Sequence, residues 1–324
     1  MATLPYPQRP IIILGAGIIG LTAAHTLLQH GFHVILVAAF LPGDTSHLYA
    51  SAWAGAAWHA AANVSDEKKG IQVMSHRVLR KLAREEPEVG VRVVRSREYL
   101  KDVPDEKGSI WEKKVLSNFR VLARGEFPEN FAAGWEYDGI VIDPTKHLPW
   151  LMKSIDAAGG QSIQRRVRSV LDLFYSFPET YIIINCSGLG SKELGGVNDR
   201  NCFPERGQNV LLNGKEYTYI IPRPMRGILV LGGVKQRDNI SSDIDMDIVR
   251  NEILRAHRSA PEVVPKDPPA SSLDYIVGIR PSRDGGFQLK KETIGLYTPL
   301  HAYEFGGQGY AYSYSVAYAI VADG

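Results

Sequence analysis

Apolar and polar positions change period several times along this chain, and each change marks an element. Ile11-Ile12-Ile13-Leu14 is an unbroken apolar run of strand length, Leu21 to His30 carries apolar residues at helical spacing, and Val34-Ile35-Leu36-Val37 is a second unbroken run. With the glycines after Leu14, the segment Arg9 to Val37 reads strand, turn, helix, strand: one βαβ unit. From about Ser65 to Arg124 the pattern changes to a charged helix over Lys68 to Glu86. Short alternating strands such as Val91-Arg92-Val93-Val94 follow it, which marks entry into a second domain.

Ile140-Val141-Ile142-Asp143-Pro144 then leads into a helix over Leu148 to Ala158, ended by Gly159-Gly160. Tyr181 to Asn185 is continuous rather than alternating and stops at Cys186-Ser187-Gly188, so it is expected to rejoin the parallel sheet of the first unit. Alternation returns between Gly207 and Val234. There Leu211-Leu212 and Tyr217 to Ile221 flank Asn213-Gly214, a strong hairpin signal. Pro261 to Pro269 reads as a surface loop.

The pattern predicts an α/β protein in which a Rossmann-like dinucleotide-binding domain (1–64, 140–200 and 280–324) is interwoven with an antiparallel-sheet substrate domain (65–139 and 201–279). Because the chain passes between the two more than once, the active site is expected in the cleft between them.

Composition narrows the chemistry. The 324 residues are 44% hydrophobic and 22% charged, enough to bury a large core. A formal charge of +2, with Lys and Arg scattered among nearly as many acids, offers no basic stripe for nucleic acid. The longest apolar stretches are strand-sized, so neither a membrane span nor a secretory leader is expected. The two cysteines, Cys186 and Cys202, form no disulfide framework and lack metal-ligand spacing; the first reads as a core residue and the second as a loop residue.

Gly15-Ala16-Gly17-Ile18-Ile19-Gly20 matches G-x-G-x-x-G between a predicted strand and a predicted helix, the context in which the pattern carries a mechanism. Gly15 permits the tight turn, Gly17 admits a pyrophosphate to the backbone, and Gly20 lets helix and strand pack closely, with the phosphates facing the helix N-terminus. One feature departs from the pattern. The second strand should end in an acid for the ribose hydroxyls, yet Val37 is followed by Ala38-Ala39-Phe40, and the nearest carboxylate is Asp44.

Further motifs occur in order along the chain: Leu41-Pro42-Gly43-Asp44 running to Ala50-Ser51-Ala52-Trp53-Ala54-Gly55-Ala56; Asn185-Cys186-Ser187-Gly188-Leu189-Gly190; Arg206-Gly207-Gln208; Tyr219-Ile220-Ile221-Pro222-Arg223-Pro224; Gly232-Gly233; Val277-Gly278-Ile279-Arg280-Pro281-Ser282-Arg283; and His301-Ala302-Tyr303 through Gly306-Gly307 to Gly309-Tyr310. On these the chain resembles the D-amino acid oxidases and D-aspartate oxidases from Ile11 to about Ala319. The resemblance implies FAD in an extended conformation, direct hydride transfer from the substrate α-carbon to the flavin, and release of a 2-oxo acid, ammonia and hydrogen peroxide. Molecular oxygen and a small D-amino acid are the implied partners, with a homo-oligomer allowed and nucleic acid and membrane not expected.

Residue by residue, the resemblance implies cofactor contacts from Gly15, Ala16, Gly17, Ile18, Ile19, Gly20, Asp44, Ser46, Ser51, Ala54, Gly55, Ala56, Val167, Ser187, Gly188, Gly190, Arg280, Gly306, Gly307, Gly309 and Tyr310. It gives the substrate carboxylate to Arg280, whose planar fork suits bidentate recognition, and to the Tyr219 hydroxyl; it gives the substrate amine to the Gly307 carbonyl. Trp58 and His59 follow the loop expected against the flavin, and either can line the pocket; Arg206 and Gln208 can equally be structural.

Lys235 lies two past Gly232-Gly233, where acid-preferring members of that family tend to be basic. With Gln308 adding a hydrogen bond, it points to D-aspartate or D-glutamate, the alternative being a broad range of neutral D-amino acids. The link from Asn213 to Thr218 is shorter than the lid common in the family, so the site is expected to be open. A nicotinamide-dependent dehydrogenase would share the glycine fingerprint but not these later motifs. The resemblance also implies an intracellular protein, peroxisomal or cytoplasmic. The sequence ends at Ala322-Asp323-Gly324 within an apparent helix and shows no peroxisomal tripeptide, which leaves a longer natural C-terminus open.

Overall fold

A computed structural model describes residues 9–60, 65–102, 111–209, 218–224 and 226–323. The first half of the chain supplies β1 (Ile11–Leu14), α1 (Ile18–Gln29), β2 (Val34–Ala38), β3 (Ala57–Trp58), α2 (Asp66–Glu85), β4 (Val91–Leu100), β5 (Arg120–Val121), β6 (Ala133–Ile142), α3 (Pro144–Ala157), β7 (Gln161–Gln164) and α4 (Val170–Ser176). The second half supplies β8 (Ile182–Asn185), β9 (Cys202–Asn209), β10 (Tyr219–Arg223), β11 (Ile228–Gly232), β12 (Gln236–Arg237), α5 (Met246–Ser259), β13 (Ile276–Arg283), β14 (Gln288–Lys291), β15 (Leu300–Tyr303) and α6 (Gly309–Asp323).

Six strands form the central sheet in the order β14-β15-β8-β1-β2-β7. The first unit and the Tyr181 to Asn185 run meet as expected: Ile11 pairs in parallel with Val34 on one side and Ile182 on the other. Only β14 runs antiparallel, at the edge. Both faces are covered at the centre of the sheet, which is why β1, β2 and the Ile182-Ile183-Ile184 run of β8 are apolar at every position instead of alternating. Ile11 and Ile13 pack into a core shared with α1, α3 and α6, whereas Ile12 and Leu14 face Val170 and Leu173 of α4. Beside this α/β layer, β3, β4, β5 and β6 form one antiparallel sheet, β9, β12 and β13 a second, and β10 with β11 a third.

Several sequence expectations shift. The helix expected from Leu148 starts at Pro144, because Asp143 caps it and proline suits the first helical turn, where a missing N–H costs nothing. The short strands expected around Val91 are one ten-residue strand, Val91–Leu100, whose alternation of more and less exposed positions runs from Arg92 to Glu98. The charged helix packs on α6 through polar pairs, Gln72 donating to the Tyr312 hydroxyl at 2.7 Å and Ser75 meeting Ser315 at 2.9 Å. Cys202 is not in a loop: it opens β9 and is buried. The Asn213-Gly214 hairpin and the short link that would leave the site open lie outside the described residues apart from Thr218; the described partner of β10 is β11, with Tyr219 opposite Gly232. Among the described residues no helix is long and apolar enough to cross a membrane.

Candidate active site

A single cavity of about 2230 Å³ runs from the turn after β1 to the sheet of β9 and β13. A drug-sized ligand needs on the order of 300 to 1,000 Å³, so this space accommodates an extended dinucleotide together with a small substrate.

At one end the backbone turns at Gly15, whose φ is +110° and whose N–H donates to the Val37 carbonyl at 2.8 Å. A Cβ there would overlap the Cys186 carbonyl, and one at Gly20 would overlap the Gly15 carbonyl, so both glycines are required by close backbone approach. Helix α1 begins at Gly17 with no side-chain cap, and Ser51 Oγ accepts from Ile18 N–H at 2.9 Å. Two phenols pin the walls: Tyr49 donates to the Ala16 carbonyl at 2.7 Å and Tyr310 to the Ser51 carbonyl at 2.9 Å. Opposite them, Asn185 fixes the turn after β8 by accepting from Ser187 N–H at 3.1 Å and donating to Ser191 Oγ at 3.2 Å. A helix start whose N-cap glycine carries no side chain, beneath a glycine turn, is a ready phosphate cradle.

Gly15, Ala16, Gly17, Ile18, Ile19, Ser51, Ala54, Gly55, Ala56, Val167, Ser187, Gly188, Gly190, Gly306, Gly307, Gly309 and Tyr310 all line the cavity, as do Arg280, Tyr219, Lys235 and Gln308. Gly20, Asp44 and Ser46 do not. Gly20 sits under the turn; the Asp44 carboxylate accepts from Gln164 Nε2 at 3.1 Å; and Ser46 gives its carbonyl to the Trp53 indole at 2.7 Å. Among the described residues no acid replaces Asp44 at the end of β2, where the wall includes Ala38, Ala39, Phe40 and the run Arg165-Arg166-Val167-Arg168.

The other end is built on β13. Arg280 donates from Nη1 to the Val234 carbonyl at 2.9 Å and lies against Gly207, where a Cβ would overlap its guanidinium. Tyr219 is hydrogen-bonded to Arg280; burial raises its pKa, partly offset by that guanidinium. A Cβ at Gly232 would overlap the Tyr219 ring, so that strand position must also be glycine. The buried Gln308 Oε1 accepts no hydrogen bond from the described residues. Trp58 and His59 both reach the cavity, His59 held between the Ala60 carbonyl and Glu98. Arg206 and Gln208 resolve to structural roles: Arg206 donates to the Ser241 carbonyl, Gln236 and Gln208, bracing the loop before α5.

Sequence reasoning missed several charged groups. Arg223 is buried and holds the Ala54-Gly55 segment, donating to the Gly55 carbonyl at 2.8 Å and the Ala54 carbonyl at 2.7 Å. Arg255 and Arg258, three apart on one face of α5, line the outer wall; that spacing was the available signal. Glu205 lies 3.3 Å from the Lys235 ammonium and 4.0 Å from Arg280 Nη1, paired across the sheet with Arg280. Nothing in the linear pattern joins those three.

Glu304 also lines the cavity, at φ +66° and only 3% exposed, with both carboxyl oxygens lacking a nitrogen or oxygen donor among the described residues. Desolvation pushes its pKa up to about 8, aided by Asp199 and opposed by the Cys202 thiol, Arg283 and Lys192. The unfolded chain releases this proton near 4.5, so between there and about 8 the folded state holds a proton that the unfolded state has lost. Stability therefore falls as pH rises through that window and levels off above it. Glu304→Gln should flatten this dependence and melt higher than wild type at pH 8 but not at pH 5. Melting curves that stay parallel across the window would remove Glu304 from the pH response.

The profile of the FAD dependent oxidoreductase family matches residues 10–323. The chain belongs to that family. This FAD dependent oxidoreductase is 31% identical over 328 residues to a D-amino-acid oxidase of Schizosaccharomyces pombe, covering 95% of this chain and 94% of the relative. It is 31% identical to a D-aspartate oxidase of Talaromyces thermophilus, covering 96% and 93%. Its fold matches the glycine oxidases of Bacillus cereus and Geobacillus kaustophilus, with TM-scores of 0.71 and 0.72 at 15% and 16% identity; the alignments cover 98% and 97% of this chain and 96% and 94% of those chains. It is thus a flavin oxidase with FAD as cofactor, and the nicotinamide alternative falls away. The cradle at Gly15 and Gly17 and the length of the cavity fit that cofactor.

Proposed function

We propose that the enzyme oxidises D-amino acids, giving an imino acid that hydrolyses to the 2-oxo acid and ammonia while oxygen is reduced to hydrogen peroxide. The observation that carries this reading is the convergence of Arg280, Tyr219 and Gly307 at the β13 end of the same cavity whose other end fits a dinucleotide. FAD, when bound, supplies the two-electron acceptor that takes hydride from the substrate α-carbon and returns the electrons to oxygen.

The protein's part is positioning. Arg280 offers a guanidinium fork to the α-carboxylate, Tyr219 adds a hydroxyl, and the Gly307 carbonyl accepts from the amine; three fixed points orient the α-hydrogen. Gln308, with its unsatisfied Oε1, supplies a further acceptor to a substrate donor. The α1 N-terminus would hold the cofactor's phosphates, and Val167 with its neighbours would cover its adenosine end.

For the side chain, the preference for D-aspartate or D-glutamate drawn from Lys235 requires an ammonium free to pair. Here that ammonium is held by Glu205. We therefore adopt the other reading, oxidation of neutral D-amino acids.

The test is peroxide formation by the purified yellow holoenzyme across matched D- and L-amino acids. Peroxide with D-alanine and other neutral D-enantiomers, and none with their L-forms, is the expected result. A panel of D-amino acids that yields no peroxide overturns the reading.

A further inference from the structure

We propose that Glu205 is a specificity-determining residue: it neutralises Lys235 from within the protein and so turns the enzyme away from acidic D-amino acids. The inference rests on the D-amino acid oxidase reading above and deepens it.

Glu205 stands on β9 directly across from Arg280 on β13, with its side chain 13% exposed. Its Oε2 is 3.3 Å from Lys235 Nζ and 4.0 Å from Arg280 Nη1, yet accepts no hydrogen bond from the described residues. The carboxylate thus stands between two cations, one on its own sheet partner β13 and one just beyond β11.

Charge counting sets the consequence. Lys235, Arg280 and Glu205 together leave one positive charge. The α-carboxylate of a substrate whose amine is neutral, the form able to give up hydride, consumes that one charge. A second carboxylate on the side chain would meet a lysine already paired and a glutamate of its own sign. It must break the Lys235–Glu205 contact or accept the repulsion, and an unfavourable like-charge contact is an efficient way to reject a competing ligand. The outer wall does not reverse this, because Arg255 and Arg258 share it with Glu262, and Arg255 is further offset by neighbouring Glu252. The paired ammonium keeps its side chain 61% exposed, lying along the cavity wall.

The experiment compares kcat/KM for D-alanine and D-aspartate in wild-type holoenzyme and in Glu205→Gln, Glu205→Asp, Lys235→Met and the Glu205→Gln/Lys235→Met double variant. Wild type should favour D-alanine by at least about tenfold. Glu205→Gln keeps the shape and frees the ammonium, so the D-aspartate to D-alanine ratio should rise by about tenfold to a hundredfold. The double variant should lose that gain, and Glu205→Asp should keep the wild-type preference. A purely structural role for Glu205 would lower both substrates together and leave the ratio unmoved. If Glu205→Gln fails to hold flavin, Lys235→Met carries the test, because stripping the carboxylate of its counter-ion should lower the ratio further. A wild type that prefers D-aspartate, or a ratio that Glu205→Gln or Lys235→Met leaves within about twofold, overturns the proposal while D-alanine turnover leaves the oxidase reading standing. No peroxide with any D-amino acid overturns that reading, and this proposal with it.

Discussion

Replacing Arg280 with leucine should lower kcat/KM by about a hundredfold to a few thousandfold while the protein still folds and holds flavin. Truncation leaves the substrate carboxylate in the cleft without its cation. Breaking one side of such a partly desolvated pair costs about 3 to 5 kcal/mol, which sets that range. Folding should survive because, among the described residues, the guanidinium's hydrogen bond to the backbone goes to the Val234 carbonyl alone, and Glu205 retains Lys235 as its counter-ion. Tyr219→Phe removes a single neutral donor and should cost less, on the order of tenfold. Steady-state peroxide assays at several D-alanine concentrations, with the flavin spectrum as a folding control, decide the matter. An Arg280→Leu enzyme with more than about a tenth of wild-type activity would show that the carboxylate binds elsewhere.

Gly15→Ala should empty the cofactor site. Its backbone stands at φ +110°, a conformation costing a residue with a Cβ about 1 to 3 kcal/mol, and the added carbon would overlap the Cys186 carbonyl. That carbonyl belongs to backbone just after β8, whose strand is paired through the whole of β1, so it cannot swing aside as a side chain would. The turn must open, and the start of α1 moves off the phosphates. Flavin content of the purified variant should fall well below one per chain, and its melting temperature should drop by on the order of 5 °C or more. Stoichiometric flavin at an unchanged melting temperature would mean that the turn tolerates a side chain and that the cradle lies elsewhere.

The two substitutions also separate what is local from what is not. The turn at Gly15 was legible in the sequence, because a turn between an apolar strand and a helix needs residues only a few positions apart, and their spacing determines the backbone path. The same locality made β1, α1, β2 and β8 readable: strands buried on both faces are apolar at every position, and that pattern has no other use at such length. Helix boundaries slipped where one residue served two signals, as when Pro144 followed an apolar strand yet opened α3 under the Asp143 cap. Asp44 was the nearest acid in sequence to the end of β2, but its carboxylate is taken by Gln164 on β7, a strand some 120 positions later.

The linear order named Arg280, Tyr219 and Lys235 through motifs, and said nothing of the charges that meet them. Glu205 lies 75 positions before Arg280 and faces it only because β9 and β13 pair in one particular register; a slip by one residue would send the carboxylate to the other face. Sequence pattern thus determined the sheet and the glycine turn, and the family resemblance singled out Arg280 as the arginine proposed for the carboxylate. Tertiary packing decided that Lys235 meets Glu205, that Arg223 holds the loop of Ala54 and Gly55, and that Glu304 is buried with no nitrogen or oxygen donor among the described residues. Electrostatic partners are chosen by distance in space, and that distance does not exist until the strands have paired.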